Sequence, residues 1–89
     1  MFTGIIEQLG TITSIEKEGE NIHFTLETEF TNELKIDQSV AHNGCCLTVV
    51  KINDSKYVVT AIQETLIKTN LSEWKVGTKV NLERCMIMN

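Results

Sequence analysis

The chain has 89 residues and a formal net charge of −4, which suits one small domain with a modest core. Its eight lysines and arginines are scattered rather than clustered, which argues against a nucleic acid or an anionic membrane surface as a partner. No apolar run is long enough to cross a bilayer, and MFTGIIEQLG lacks the features of an export signal. We therefore expect a cytoplasmic protein whose three cysteines are reduced.

The first half of the chain predicts short strands. LGTITSIEKEG and NIHFTLET alternate apolar with polar residues around a polar turn, and Ile22, Phe24 and Leu26 share one face. TEFTNELKI then loses the period of two, and Thr31 is placed to cap a short helical turn. There is no proline, so the turns are expected to rely on Gly, Asn, Asp and Ser.

The second half continues this pattern. QSVAHNG predicts a brief strand before an Asn-Gly turn, CCLTVVKI a buried strand, and NDSK a hairpin into YVVTAI. The segment 60–63 fits a capping box, which predicts that ETLIKTNL forms a short helix. Gly77 turns the chain into a last strand, TKVNLER. Together these elements predict an all-β fold, a six-stranded antiparallel Greek-key β-barrel with one or two short helices, and no internal repeat is evident.

The adjacent pair Cys45 and Cys46 is the first candidate for chemistry. Neighbours on a strand point to opposite faces, so both thiols cannot bind one ion, and we expect no metal site. The pair also lacks the spacing of redox Cys-X-X-Cys motifs. The residues alone leave two interpretations open. Either both cysteines are small core residues, or Cys46 and Thr48 share a face that lines a pocket.

The start of the predicted helix has the same ambiguity. Glu64 in its first turn is favourable through the helix dipole alone. Alternatively, Gln63, Glu64 and Thr65 surround backbone N–H donors and hold a polyhydroxyl chain or a uracil-like edge.

The two histidines and the single tryptophan receive structural interpretations. His23 lies on the polar face of its strand and is expected to be solvated. His42 precedes a turn, and no Ser-His-Asp order gives either histidine a catalytic partner. Trp74 is expected to cover an edge of the core. The residues alone support a small β-barrel with a candidate pocket and name no ligand.

Four segments carry a resemblance to a known family. MFTGII, SVAHNGCCLTV, ETLIKTNL and KVGTKVNLER occur in the same order and at similar spacing as in the N-terminal half of riboflavin synthase. The resemblance covers nearly the whole chain and implies a two-barrel subunit that assembles as a trimer. Residues 1–89 would be its first lumazine-binding barrel. The apolar end CMIMN fits a piece of a longer chain, or a natural half that forms a homodimer.

The resemblance implies a dismutation. Two molecules of 6,7-dimethyl-8-ribityllumazine exchange a four-carbon unit and give riboflavin and a ribitylamino-pyrimidinedione, without a metal or other cofactor. Orienting two flat rings face to face would supply most of the catalysis. Because the family's site forms between the first barrel of one subunit and the second barrel of another, this chain alone is expected to bind ligand with little or no activity.

The resemblance also implies a set of site residues. The ligand-binding set is Gly4, Ile5, Ile6, Cys46, Leu47, Thr48, Thr60, Ala61, Ile62, Gln63, Glu64 and Thr65. Thr48 would hydrogen-bond the ligand, and Glu64 would grip ribityl hydroxyls or a ring edge. Phe2 would be important for activity, and Ser39 and Cys46 would assist nucleophilic steps.

Two other classes of function compete with the synthase. Lumazine proteins share the expected fold and bind a lumazine or flavin without catalysis. They typically lose parts of CCLTV and ETL..TNL, both of which are present here, which favours the synthase. A purely structural barrel whose apolar end mediates assembly is the third class, and it predicts that no yellow chromophore binds.

Overall fold

The computed structural model describes residues 8–29, 31–69 and 71–84. Phe2, Gly4, Ile5 and Ile6, as well as the end CMIMN, lie outside the described residues. Within these ranges the strands are β1 (Gln8–Glu18), β2 (Asn21–Glu27), β3 (Ser39–His42), β4 (Cys45–Asn53), β5 (Lys56–Ala61) and β6 (Lys79–Arg84). The helical elements of the same ranges are α1 (Gln63–Lys68) and the 3₁₀ turns Thr31–Glu33 and Leu71–Glu73.

The strands close into an antiparallel barrel in the order β1-β2-β5-β4-β3-β6, which confirms the predicted six-stranded barrel. The hairpin turns form where the sequence places residues that tolerate positive φ. Gly19 has a φ of 62°, Asn43 and Gly44 have φ of 53° and 86°, and Asp54 has a φ of 56°. No helix among the described residues has the length and apolar character that a membrane crossing requires.

Strand alternation fills the barrel. On β2, Ile22, Phe24 and Leu26 point inward, as predicted. On β4, however, the prediction of a wholly buried strand is wrong: Leu47 and Val49 are buried, but their neighbours are exposed or half-buried. The reason is that the outer face of this barrel meets solvent, so only alternate residues are covered. The inward set comprises Ile12, Ile22, Phe24, Leu26, Val40, Leu47, Val49, Tyr57, Val59, Ala61, Val80 and Leu82.

Neither predicted helix cap forms. Ile62 occupies the N-cap position of α1 and makes no side-chain cap hydrogen bond. Thr60 lies in β5, where pairing with His23 of β2 keeps it extended, so it cannot cap the helix. The Thr31 hydroxyl lies 2.9 Å from the Thr28 carbonyl oxygen and 2.8 Å from that of Ser55, so it ties its turn to the β4–β5 hairpin instead.

The barrel contains an internal repeat that the sequence did not predict. Residues 31–40 (TNELKIDQSV) and 71–80 (LSEWKVGTKV) each form a 3₁₀ turn, a second turn and the start of a strand. Their sequences coincide only at a Glu, a Lys and a Val, so the similarity is easily missed. The equivalent residues Asp37 and Gly77 both have positive φ, 73° and 95°.

Equivalent hydrogen bonds hold the two repeated segments against the sheet. The Asp37 N–H donates to the Val49 carbonyl at 2.8 Å, and the Gly77 N–H donates to the Ile12 carbonyl at 2.7 Å. In return, the Val49 N–H donates to the Gln38 carbonyl at 2.9 Å, and the Ile12 N–H donates to the Thr78 carbonyl at 3.0 Å. β1 and β4 both shift register directly after these residues. The barrel therefore consists of two similar halves, β1–β3 and β4–β6.

Candidate functional site

The first wall of the candidate site is the outer face of β3 and β4. Ser39 pairs directly with Thr48, and Ala41 pairs with Cys46, so the predicted nucleophile-assisting residues share one face with the predicted hydrogen-bonding threonine. Directly paired side chains lie about 5 Å apart at Cβ. Cys46 and Thr48 are exposed and Ser39 is half-buried. The structure thus brings together three of the residues that the resemblance implied.

The two cysteines differ in environment. Cys45 packs against the core. Burial raises the pKa of its thiol, and the neighbouring Cys46 raises it by a smaller amount. Cys45 is therefore a poor nucleophile at neutral pH. Cys46 is exposed, so the interpretation that both cysteines are core residues is wrong for Cys46. Among the described residues, no group of three His, Cys, Asp or Glu side chains could hold a metal ion.

A break in the sheet lies beside this wall. The ladder between β4 and β5 ends at the pair Val49–Val59. The residues Cys45–Thr48 of β4 therefore extend past the ladder, as do Thr60 and Ala61 of β5. Strand segments outside a ladder present backbone N–H and C=O groups at their edge. A planar ligand with amide-like edges can use such groups.

The second wall consists of the end of β5 and the start of α1. Thr60 is half-buried on the outer face, and the side chain of Ile62 is 52% exposed. Gln63 and Glu64 follow on the exposed first turn of α1, and Thr65 is half-buried. This wall therefore offers one apolar surface, Ile62, flanked by hydroxyl and carboxylate groups.

Two residues of the predicted binding set point away from both walls. The side chains of Leu47 and Ala61 are buried inside the barrel at 4% and 0% exposure. Strand alternation forces this placement, because each lies next to an outward residue. Only the backbone of Leu47 and Ala61 can face a ligand on the outer surface.

An open cavity in the described part of the chain lies away from these walls. Its lining residues are Gln8, Leu9, Thr11, Glu27, Thr28, Glu29 and Ser55. None of them was predicted to bind ligand. The repeat explains the location, because Thr11 is the equivalent of Thr48 and Glu27 is the equivalent of Thr60. The cavity therefore occupies, in the first half of the barrel, the place of the candidate site in the second half.

The sequence did not predict a polar contact on the second wall. His23 Nδ1 lies 2.7 Å from the Thr60 hydroxyl oxygen, and His23 Nε2 lies 3.0 Å from a Glu18 carboxylate oxygen. The expectation that His23 is simply solvated is wrong, since its side chain is 26% exposed and both ring nitrogens have partners. The register between β2 and β5, which joins His23 to Thr60, was the missing information.

His42 belongs to the core rather than to the site. Its Nδ1 lies 2.9 Å from the Val40 carbonyl oxygen and its Nε2 lies 2.9 Å from the Tyr57 hydroxyl. Burial lowers the pKa of His42 to about 4, against a smaller opposing effect of the Val40 hydrogen bond. Burial also raises the pKa of Tyr57. Both groups are therefore neutral at pH 7, and the Tyr57 hydroxyl donates to the imidazole.

The described strands form a small, closed, antiparallel β-barrel domain. The sequence profile of the lumazine binding domain family matches residues 3–85, and the chain belongs to this family. The chain is homologous to the N-terminal half of riboflavin synthase. It is 41% identical over 90 residues to the riboflavin synthase of Bacillus amyloliquefaciens, covering 100% of this chain and 42% of that protein. It thus spans about two fifths of the length of the curated relatives it matches.

Two solved structures of LumP are similar to this barrel. LumP complexed with 6,7-dimethyl-8-(1'-D-ribityl) lumazine gives a TM-score of 0.90 at 28% identity, covering 100% of this chain and 50% of that chain. LumP complexed with riboflavin gives a TM-score of 0.87 at 30% identity, covering 94% and 46%.

Proposed function

We propose that this chain binds 6,7-dimethyl-8-ribityllumazine and riboflavin between the two walls described above. The observation that carries the proposal is the placement of Ser39, Cys46 and Thr48 on one outer face, beside the point where the β4–β5 ladder ends. The family and the ligands of the LumP structures support the choice of ligand class.

The proposed ligand pose follows from the chemistry of the two walls. A ring system that is flat and partly apolar packs on Ile62, whose side chain is half exposed. The imide edge of the ring lies along the backbone of residues 46–48, with the Thr48 hydroxyl as an additional partner. The ribityl hydroxyls reach Glu64 and Thr65 at the start of α1.

The catalytic roles belong to the same proposal. In a complete two-barrel protein, Ser39 and Cys46 assist the nucleophilic steps of the lumazine dismutation, and Phe2 is important for activity. Gly4, Ile5 and Ile6 contact ligand across the barrel interface. No metal or cofactor takes part, because orienting two rings and stabilising the lumazine anion supply the rate enhancement.

We further propose how the chain is organised. Residues 1–89 form one domain, and the order in which β6 returns beside β3 after the hairpins β3–β4–β5 supports the Greek-key description. The full-length enzyme is a trimer. It is located in the cytoplasm, and the free thiols of Cys45 and Cys46 agree with this reducing compartment.

Thr48→Val is expected to weaken riboflavin binding about tenfold, since it removes one ligand hydrogen bond and keeps the shape of the side chain. Isothermal titration calorimetry measures the change. The matched control is Thr25→Val, on the outer face of β2 and outside both walls. An equal loss of affinity in the two variants would contradict the proposed place of the ligand.

The isolated chain is expected to form a homodimer in the presence of riboflavin and to show little or no synthase activity. The family's reaction requires a second lumazine presented by a second barrel, and two copies of this chain supply only one kind of barrel. Sedimentation velocity measures the association, and riboflavin formation from the lumazine measures the activity. A monomer at all ligand concentrations would contradict the first expectation, and sustained riboflavin production would contradict the second.

A non-catalytic lumazine- or flavin-binding role is the second candidate, and the similarity to LumP favours it. The two roles are separated by supplying a second barrel in trans. Riboflavin formation in the mixture that depends on Cys46 or Ser39 supports the synthase. Ligand binding without turnover in the mixture supports the binding protein.

A further inference from the structure

Three hydrogen-bonded polar side chains lie in a row across the outer face of β1, β2 and β5, and the row ends at the second wall. The Glu18 carboxylate lies 3.0 Å from His23 Nε2, and His23 Nδ1 lies 2.7 Å from the Thr60 hydroxyl oxygen. Glu18 is mostly exposed, His23 is mostly covered, and Thr60 is half-buried. The order of the three groups therefore runs from solvent toward the ligand wall.

The donor and acceptor inventory fixes the direction of these hydrogen bonds. A carboxylate can only accept, so His23 Nε2 must carry a proton that it donates to Glu18. In the neutral imidazole the other nitrogen then has no proton and accepts. The proton between His23 and Thr60 therefore comes from the Thr60 hydroxyl. Because its single proton is used, the Thr60 oxygen can only accept further hydrogen bonds.

We propose that His23, held by Glu18, positions the Thr60 hydroxyl as a hydrogen-bond acceptor for a donor group of the bound ligand. This inference rests on the proposed function. The matching ligand chemistry is an O–H or N–H donor, which riboflavin offers in its ribityl hydroxyls and in its imide N–H. His23 is thus a positioning residue, and Thr60 is the residue that touches the ligand.

A structural role alone would have a different signature. His23 and Thr60 are directly paired across β2 and β5, so their hydrogen bond also joins two strands. Such a bond contributes to stability whether or not ligand is present. The positioning role, in contrast, makes the effect of His23 on ligand affinity depend on the Thr60 hydroxyl.

The test is a double-mutant cycle on riboflavin affinity with His23→Leu and Thr60→Val in the 89-residue chain. His23→Leu is expected to weaken binding about fivefold, because it releases the Thr60 hydroxyl from its orientation. In the Thr60→Val background the same change is expected to alter affinity less than about twofold. Equal factors in the two backgrounds, or no effect of His23→Leu on the unchanged chain, would overturn the inference.

The role of Glu18 is tested by a milder variant. Glu18→Gln is expected to weaken binding by about twofold, less than His23→Leu, because a mostly exposed pair contributes little. Glu20→Gln, in the exposed turn between β1 and β2, is the matched control and is expected to leave affinity unchanged. An equal effect of Glu18→Gln and Glu20→Gln would overturn the assignment to Glu18.

Two riboflavin analogues identify the donor. Lumiflavin has no ribityl chain, and 3-methylriboflavin has no imide N–H. If the imide donates to Thr60, the affinity for 3-methylriboflavin no longer depends on His23, whereas the affinity for lumiflavin still does. If a ribityl hydroxyl donates, the pattern reverses. Dependence that persists with both analogues would overturn the inference that Thr60 accepts from either group.

The imidazole tautomer gives a readout that needs no ligand. Nitrogen NMR shifts of His23 at pH 8 are expected to show a protonated Nε2 and an unprotonated Nδ1. The opposite tautomer would overturn the inference even if riboflavin binds normally. Failure of the unchanged chain to bind riboflavin, with the expected tautomer present, would contradict the proposed function and with it the ligand contact of Thr60.

Discussion

Acidification from pH 7 to pH 4 is expected to lower the free energy of unfolding by about 3 kcal/mol through His42 alone. The pKa of this histidine is about 4 in the folded chain, against an ordinary value of 6.5. Below pH 6.5 the unfolded chain binds a proton that the folded chain does not, so stability falls as the pH falls. The loss begins near pH 6.5 and levels off below pH 4.

The physical reason lies in the barrel interior. His42 is fully buried, and its ring contacts those of Tyr57 and Trp74 at centroid distances of 5.8 and 6.4 Å. The Tyr57 hydroxyl donates to Nε2, so protonation of this nitrogen removes the acceptor of the Tyr57 hydroxyl and places a charge in an apolar core.

Urea unfolding at a series of pH values measures this effect. His42→Gln, which keeps a donor and an acceptor but does not titrate, is expected to lose stability at pH 7 and to show a flatter dependence between pH 6.5 and pH 4. The same slope in the variant and in the unchanged chain would contradict the assignment to His42.

Trp74→Ala is expected to lower the free energy of unfolding by about 3–5 kcal/mol. Trp74 is only 7% exposed, and its ring meets that of Phe24 edge to face at a centroid distance of 5.0 Å. Truncation leaves a cavity between the second 3₁₀ turn and the barrel interior. For a domain of this size such a loss is a large part of the total stability.

The matched control for this truncation is Val76→Ala, two residues further along the chain in the turn that follows. Val76 is 65% exposed, so its truncation is expected to change stability by no more than about 0.5 kcal/mol. Far-ultraviolet circular dichroism must follow the unfolding, because Trp74 is the single tryptophan of the chain. A change below about 1 kcal/mol for Trp74→Ala would contradict its role as the cover of the core.

The fold could be predicted because its signals are local. Alternation on β2, the Asn43-Gly44 turn and the positive-φ residues at the other hairpins each depend on a few neighbouring residues. The two predicted helix caps failed because long-range pairing overrode a local pattern: Thr60 is held in β5 and Thr31 contacts Ser55. The repeat was missed because its two copies share hydrogen bonds rather than side chains.

The candidate site was predictable only in part. Alternation alone put Cys46 and Thr48 on one face, and the resemblance added Ser39, which the structure places opposite Thr48. Local patterns could not predict that this face is the outside of the barrel, nor that the β4–β5 ladder ends beside it. The contact of His23 with Thr60 depends on the register of strands far apart in sequence, and no local pattern encodes that register.

The fluorescence of riboflavin titrated with the purified, unchanged chain tests directly whether this barrel binds a flavin. Binding between the two walls predicts saturable quenching with one riboflavin per barrel, because the ring leaves water and packs on protein. Fluorescence that stays constant up to the highest attainable chain concentration would contradict binding between the two walls, and would mean that this barrel does not form a flavin site by itself.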